Sequence, residues 1–564
     1  MQKNTQRLSV VSMSSSPHRA LPQKGSFEVP DAELAQLRDD AVLCRRTQGL
    51  EWIRRRRGLL RSANPAHPNT PAMIGYLAQW ADGEAGVAET VADLLGLFPP
   101  AERRRLTLDG YLFLRLAEGI LNVVLGKPSG GDLEFVITVA SSGCASPDLL
   151  LFAQLWKAEL GSKTGALDAA ARHAAASRDL AGQLGCPRLV ARACAIEALS
   201  LLDAGLPRSA EFLRQAEVGL RDSEDWLWRS RIQDALGRAA LEEGRYQSAL
   251  EHFTGARDLL TGGRGGPEEL GWAHLHIARA RRLLASFLAG NIDARAELRR
   301  RSSQSGTAEV SSAVLRQRME RLRSDAFGAL AEAEEIFRFP GNSRGMEFAR
   351  LERGALWEHC GDLRKAAEHA GECFAEASRR GDLFLMAQAR LLQSRIEKAR
   401  YEEGLGTDLS SHAQQAHEYA REALALATDC DARPAGKRRL LAAIYVAQGL
   451  LLATEFVDGA EGARACCHSA GEHLNPAERG ALWEEYQVLV SKTRHHGNSG
   501  ARLKQWSEGL VEGKTFQQIT EEFAEVVIPA VWAREGKSVS RVVHKLSISP
   551  KKVRRILTRA GLKS

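Results

Sequence analysis

Lys551, Arg555 and Arg559 stand at i, i+4 and i+8, with Lys552 and Arg554 beside them. On a helix that spacing sets three cations along one face. The opposite face of the same segment carries Val553, Ile556, Leu557 and Ala560, an i, i+3, i+4, i+7 stripe that seeks a core. An exposed row of cations and hydrogen-bond donors suits a polyanion, most simply the major groove of double-stranded DNA. Upstream, Arg541, His544 and Lys545 form a second basic face, suited to phosphates. The charge is concentrated here. The 564 residues carry a net +7, yet residues 534–564 hold ten Lys/Arg and one acid, a net of +9. The remaining 67 basic and 69 acidic residues leave the rest of the chain at −2. A near-neutral body with one basic segment implies a polyanionic partner.

The elements that position these residues are legible. Val539, Val542, Val543 and Leu546 repeat at helical spacing after Ser538, a good N-cap residue. The spacing predicts a helix from Ser538 to Leu546. Ser547-Ile548-Ser549 is a short turn, and Ser549-Pro550 opens the next helix with a cap and a first-turn proline. Gly561 closes it. Two short helices with one apolar stripe each and a three-residue connection make a helix-turn-helix. The segment from Phe516 to Glu535 supplies a preceding helix, with Phe523, Val526, Val527 and Val531 as expected core and Pro529 as an expected kink or break.

Ser547 to Leu562 resembles the DNA-binding C-terminus of Fis-type regulators and of the enhancer-binding activators that share it. The residues that carry the likeness are Ile548-Ser549, Lys551, Val553, Arg555, Leu557, Arg559 and Gly561-Leu562, without a gap. Two positions depart from the family pattern. Ser547 stands where the family usually has Gly, and Val542-Val543 where it has small residues, often Ala-Ala. The resemblance implies base contacts from Lys551, Lys552 and Arg555, and phosphate contacts from Arg541, Lys545 and Arg559, with Arg554 also in the basic set. It also implies dimerisation through the preceding helix, here Phe516 to Val531. Phe516, Ile519, Phe523, Val526 and Val527 give that stretch more apolar surface than one small domain needs.

The body of the chain reads as helix, short break, helix. Ala, Leu, Arg and Glu dominate and aromatics are 6%, which favours helix over strand. Glu134 to Val139 is the one strand-like stretch and is read as helix. Breaks fall at Pro99-Pro100, Gly130-Gly131, Gly185 to Pro187, Gly262 to Pro267, Gly341, and Gly404 with Gly406. Leu236-Gly237, Gly244, Tyr246, Ala249, Phe253 and Ala256 resemble the tetratricopeptide repeat, a helix–turn–helix unit of about 34 residues. Gly237 would let two helices approach, and Gly244 would permit a left-handed turn. Gly354, Trp357, Gly361, Leu363, Ala366 and Ala370 form a second copy, and Ala198, Leu201, Gly205 and Ala210 a weaker one. The copies are unevenly spaced, with an insertion near Arg299 to Ser312. About eight to ten hairpins are expected between residues 70 and 512. The resemblance implies a solenoid with a groove for a protein or peptide.

Other functions find little support. Gly126-Lys127-Pro128 lacks the upstream glycine of a P-loop, and Pro128 replaces its Ser/Thr. No HExxH, GxSxG or spaced carboxylate pair stands out, so no enzyme and no cofactor are expected. Cys466-Cys467-His468 and His495-His496 are neighbours on a helix and point about 100° apart, which suits chelation poorly; no metal site is expected. Nine scattered cysteines without a CxxC pair fit a reducing cytoplasm. Met1 to Gly25 has no continuous apolar core for a signal peptide. Leu440 to Val457 contains Gln448, Thr454 and Glu455 and fits a buried helix better than a membrane span.

The expectation is an all-α protein. Residues 1–30 form a disordered tail, 31–512 a degenerate tetratricopeptide-like array, and 513–564 a Fis-type helix-turn-helix. The expected function is that of a bacterial, cytoplasmic transcriptional regulator, in which the array binds a protein or peptide and the terminal domain reads DNA, with a possible homodimer. The alternative is a repeat scaffold whose basic C-terminal helices dock an acidic protein.

Overall fold

Glycines at the turns and alanines at the crossings decide how this chain packs. In the computed structural model the described residues are 27–82, 86–127, 130–206, 208–261, 266–302, 308–338, 343–404, 409–453, 459–496, 515–559 and 562. Among them every regular element is a helix, and one isolated bridge pairs Phe27 with Ala63. The helices are α1 (Asp31–Val42), α2 (Arg46–Leu60), α3 (Thr70–Ala78), α4 (Val87–Leu95), α5 (Pro100–Arg103), α6 (Leu108–Val124) and α7 (Gly131–Ala140). There follow α8 (Pro147–Thr164), α9 (Leu167–Gln183), α10 (Pro187–Ala204), α11 (Ser209–Leu220), α12 (Trp226–Glu242) and α13 (Tyr246–Leu260). Next come α14 (Pro267–Ser302), α15 (Ala308–Arg338), α16 (Ser343–His359), α17 (Leu363–Arg380), α18 (Leu383–Glu402) and α19 (Leu409–Asp429). The last are α20 (Pro434–Leu452), α21 (Gly459–His473), α22 (Ala481–His496), α23 (Phe516–Arg534), α24 (Val539–Leu546) and α25 (Pro550–Arg559).

The strand-like stretch Glu134 to Val139 lies within α7. The insertion near Arg299 to Ser312 lengthens α14 to 36 residues and α15 to 31; residues 303–307 lie outside the described set. Most of the N-terminal tail also lies outside it, but Phe27 is ordered. Its N–H donates to Ser62 O at 2.9 Å and its carbonyl accepts from Asn64 N at 2.9 Å. No helix among the described residues is long and apolar enough to cross a membrane, α20 included.

The described residues fall into two units. The first holds those up to Leu201, with Arg208–Ile232 and the stretch 259–266; the second holds the rest. The division passes through α10, α12 and α13.

The first unit buries a network of charges. Arg46 is 1% exposed as a side chain, donating from Nη1 to Asp82 at 2.8 Å and from Nε to Asp225 at 3.0 Å. Its guanidinium lies 5.4 Å from the Trp226 ring centroid. Glu159 pairs with Arg192 at 3.6 Å and Arg231 at 3.1 Å. Both arginines lie over Trp228. Three guanidiniums thus meet three carboxylates. Burial pushes the Asp82 carboxyl up, but Arg46, with Arg231 and Arg192, overcomes this and holds it well below the ordinary range.

The second unit contains the stretches around Gly244 and Gly361, whereas the weaker match from Ala198 to Ala210 is divided between the two units. Gly244 has φ +73°, the left-handed conformation its turn requires. Gly237 faces Phe253 so closely that a Cβ would lie 2.5 Å from the ring. Tyr246, Ala249, Phe253 and Ala256 are buried. Its first turns also meet the turns that open α20 and α22. Asp203 pairs with Arg238 at 3.2 Å and with Arg433. The Glu242 carbonyl accepts from the N–H of Arg479 at 2.7 Å and of Gly480 at 3.0 Å.

Replacing Arg46 with methionine keeps the volume and strands Asp82 and Asp225. Breaking a buried pair this way costs about 3–5 kcal/mol. Urea unfolding of the Arg46→Met chain should show the first unit melting at markedly lower denaturant; an unshifted transition would contradict a structural role for the network.

Candidate nucleic-acid interface

The terminal three helices share one core drawn wholly from their own residues. Ile528 and Trp532 of α23, Val542 of α24, and Val553, Ile556 and Leu557 of α25 are buried together. Ala524, Val531, Val539, Val543, Leu546, Ile548 and Leu562 pack against them. The apolar stripes of α24 and α25 face this core as their spacing predicts, save Ala560, which lies outside the described residues. On α23 the expectation needs correction. Phe523 is 46% exposed, and Ile528 and Trp532 take the inner place. The apolar residues of α23 spread over two faces, so type alone did not say which one is covered. The side chain of Val526 lies outside the described set.

α23 starts on a capping box absent from the sequence reading. Thr515 Oγ1 accepts from Gln518 N–H at 3.4 Å, and Gln518 Oε1 accepts from Thr515 N–H at 2.8 Å. The helix then runs through Pro529 as a single element, so the expected break does not occur. Loss of one backbone hydrogen bond there is offset by burial of Ile528 and Trp532 on either side. Ser538 occupies the N-cap of α24, but its side chain makes no capping bond; its Oγ lies 3.0 Å from Ser540 Oγ. Ser549 does cap α25, its Oγ accepting from Lys552 N–H at 3.2 Å. Gly561 lies outside the described residues.

Between α24 and α25, Ser547 has φ 51° and ψ 42°, a left-handed backbone. This is the position where Fis-type sequences have glycine. A Cβ there costs about 1–2 kcal/mol.

The cations sort into two stripes. Lys552, Arg555 and Arg559 face α23. Arg555 donates to Glu521 at 2.5 Å, and Lys552 lies 3.8 Å from the same carboxylate. Arg559 donates to Glu525 at 3.1 Å, with Glu521 at 3.8 Å. Lys551 and Arg554 lie on the outer side with Thr558, again i, i+3 and i+7. Both are exposed, and no ion pair joins either to another described residue. The row of Lys551, Arg555 and Arg559 drawn from spacing is therefore split. On α24, Lys545 pairs with Glu535, whose carboxyl is lowered first by that hydrogen bond and further by Arg541. Arg541 and His544 are exposed. Sequence reasoning missed Glu521 and Glu525; their i, i+4 spacing on the helix preceding the motif was the available signal.

No protein-family model matches the chain, and a search of curated proteins finds no match.

Ser547→Gly removes the left-handed penalty at a smaller backbone-entropy cost, for a net gain of about 0.5–1 kcal/mol. Amide exchange across α24 and α25 in the full chain should slow by a few fold. Faster exchange would show that the Ser547 side chain contributes more than its backbone costs.

Proposed function

We propose that this chain is a cytoplasmic DNA-binding transcriptional regulator. α24 and α25 act as a helix-turn-helix, and the outer face of α25 enters the major groove of double-stranded DNA. The observation that carries this reading is the pair Lys551 and Arg554, exposed and without a carboxylate partner among the described residues, on a helix seated over its own core. The likeness of Ser547 to Leu562 to Fis-type domains supports it. In this reading Lys551 and Arg554 meet base edges and Arg541 meets phosphates, while Lys545 is held by Glu535. Lys552, Arg555 and Arg559 border the interface on the α23 side. The helical array preceding it serves as a tetratricopeptide-like surface for a protein or peptide partner, supported by successive helix pairs such as α12–α13 and α16–α17.

Binding of a labelled duplex by the full chain should weaken steeply as salt rises, because neutralised phosphates release counterions. Each of Lys551→Ala and Arg554→Ala should flatten that salt slope by about 0.9 if the residue meets phosphate. Where it meets a base, it should instead lower discrimination by about 1–3 kcal/mol at one position. Retention that ignores salt in wild type and variants would refute DNA binding.

The second apolar face of α23 supports a homodimer. Phe516 is 86% exposed and Phe523 46%, on the side away from Ile528 and Trp532. A dimer would set two recognition helices about 34 Å apart on one side of the duplex. Phe516→Glu should yield monomers in sedimentation, with loss of preference for paired half-sites. A wild-type monomer at micromolar concentration with full specific affinity would exclude this arrangement.

A further inference from the structure

Glu521 and Glu525 lie one helical turn apart on α23, and Lys552, Arg555 and Arg559 follow at i, i+3 and i+7 on α25. The two spacings match, so a pair of carboxylates lies along a stripe of three cations. Glu521 contacts all three: Arg555 at 2.5 Å, and Lys552 and Arg559 at 3.8 Å. Glu525 adds a bond to Arg559 at 3.1 Å.

These pairs are not what holds the domain together. Glu521 is one-third exposed and Arg555 half exposed, and ion pairs so open to water add little stability. The shared core of Ile528, Trp532, Val542, Val553, Ile556 and Leu557 already joins α23 to α24 and α25. What the carboxylates change is the availability of the cations. A guanidinium donating to Glu521 has fewer N–H groups left for a phosphate. A phosphate that approaches this stripe also meets two fixed like charges.

We infer that Glu521 and Glu525 are specificity-determining residues, which withhold Lys552, Arg555 and Arg559 from the DNA backbone and leave Lys551 and Arg554 as the cations through which α25 meets the duplex. This rests on the DNA-binding reading above. Non-specific affinity grows with the number of phosphates neutralised, whatever the sequence. A recognition helix with five free cations would hold any duplex tightly. Withholding three lowers that background while the outer pair still reaches base edges, which raises the ratio of specific to non-specific binding.

The test uses the full chain, fluorescence anisotropy and a random-sequence duplex of about three helical turns over a salt series. Glu521→Gln keeps the side-chain shape and removes the charge. It should bind the random duplex about tenfold more tightly at ~0.1 M salt for each cation that gains a phosphate, with the salt slope steeper by about 0.9 per cation. Glu522→Gln is the charge-matched control on the same helix. It changes net charge equally on the adjacent residue, about 100° around the helix from Glu521. If Glu521→Gln matches the control in affinity and slope, or binds more weakly because Arg555 needs Glu521 to aim it, the inference is wrong while the DNA reading stands. If neither wild type nor Glu521→Gln binds a duplex at any salt, the DNA reading falls and this inference falls with it.

Discussion

An arginine taken out of water has to find its charge partner in the protein. Arg46 states the constraint most sharply. It is almost fully buried, and it bonds Asp82 and Asp225, residues 36 and 179 positions away in sequence. Neither bond can form until α2, the turn after α3 and the start of α12 are in place together. Nearby, Glu159 serves Arg192 and Arg231 in the same way. The interior of the first unit is therefore specified by charge as well as by shape. Replacing such a network whole with apolar residues of similar volume is often neutral, whereas removing one partner strands a buried charge.

In the second unit it is a carboxylate, Asp203, that is buried and finds a partner far along the chain. Asp203 pairs with Arg433, 230 residues further on. The Glu242 carbonyl receives Arg479 and Gly480, and the Asn475 side-chain amide donates to the Glu242 carboxylate at 3.2 Å. In a plain repeat array each hairpin contacts only its neighbours. Here the first turns of the unit also touch the turns that open α20 and α22, so the hairpins between them are held at both ends. Gly244 and Gly480 make that approach possible. A Cβ on Gly244 would lie 2.7 Å from the Arg479 carbonyl, and one on Gly480 would lie 2.8 Å from the Leu241 carbonyl. Gly244 thus has two jobs, a left-handed turn and a close backbone contact, and only the first was legible in the local pattern.

What could be read from the sequence was local. Periodicity placed α24 and α25, because Val542, Val553, Ile556 and Leu557 fall on single narrow stripes. Turn chemistry placed Gly244 and Ser549. The body was legible as helical because strand formers are sparse and Gly or Pro punctuates it. The failures were of another kind. On α23 two apolar faces compete, and only the tertiary contacts show that Ile528 and Trp532 are inside and Phe523 outside. Pro529 reads as a breaker, yet flanking burial carries the helix through it. The division into two units and the pairing of Arg46 depend on residues far apart in the chain, and no window of sequence contains them.

The candidate interface shows why a count of charges differs from a charge available for binding. Residues 534–564 carry ten cations, and spacing alone groups Lys551, Arg555 and Arg559 as one row. Four residues apart on an α-helix is a rotation of about 400°, so successive members of such a row drift about 40° around the axis. Over two steps the drift is about 80°, enough to carry Arg559 from the outer face round to α23. There it meets Glu525 and Glu521. Lys551 and Arg554, three apart, drift the other way and stay outside. The carboxylates that complete the site sit in a different helix, thirty or more residues upstream. Which cations face outward is therefore decided by how α23 crosses α25, and that crossing is fixed by Ile528 and Trp532 in the shared core.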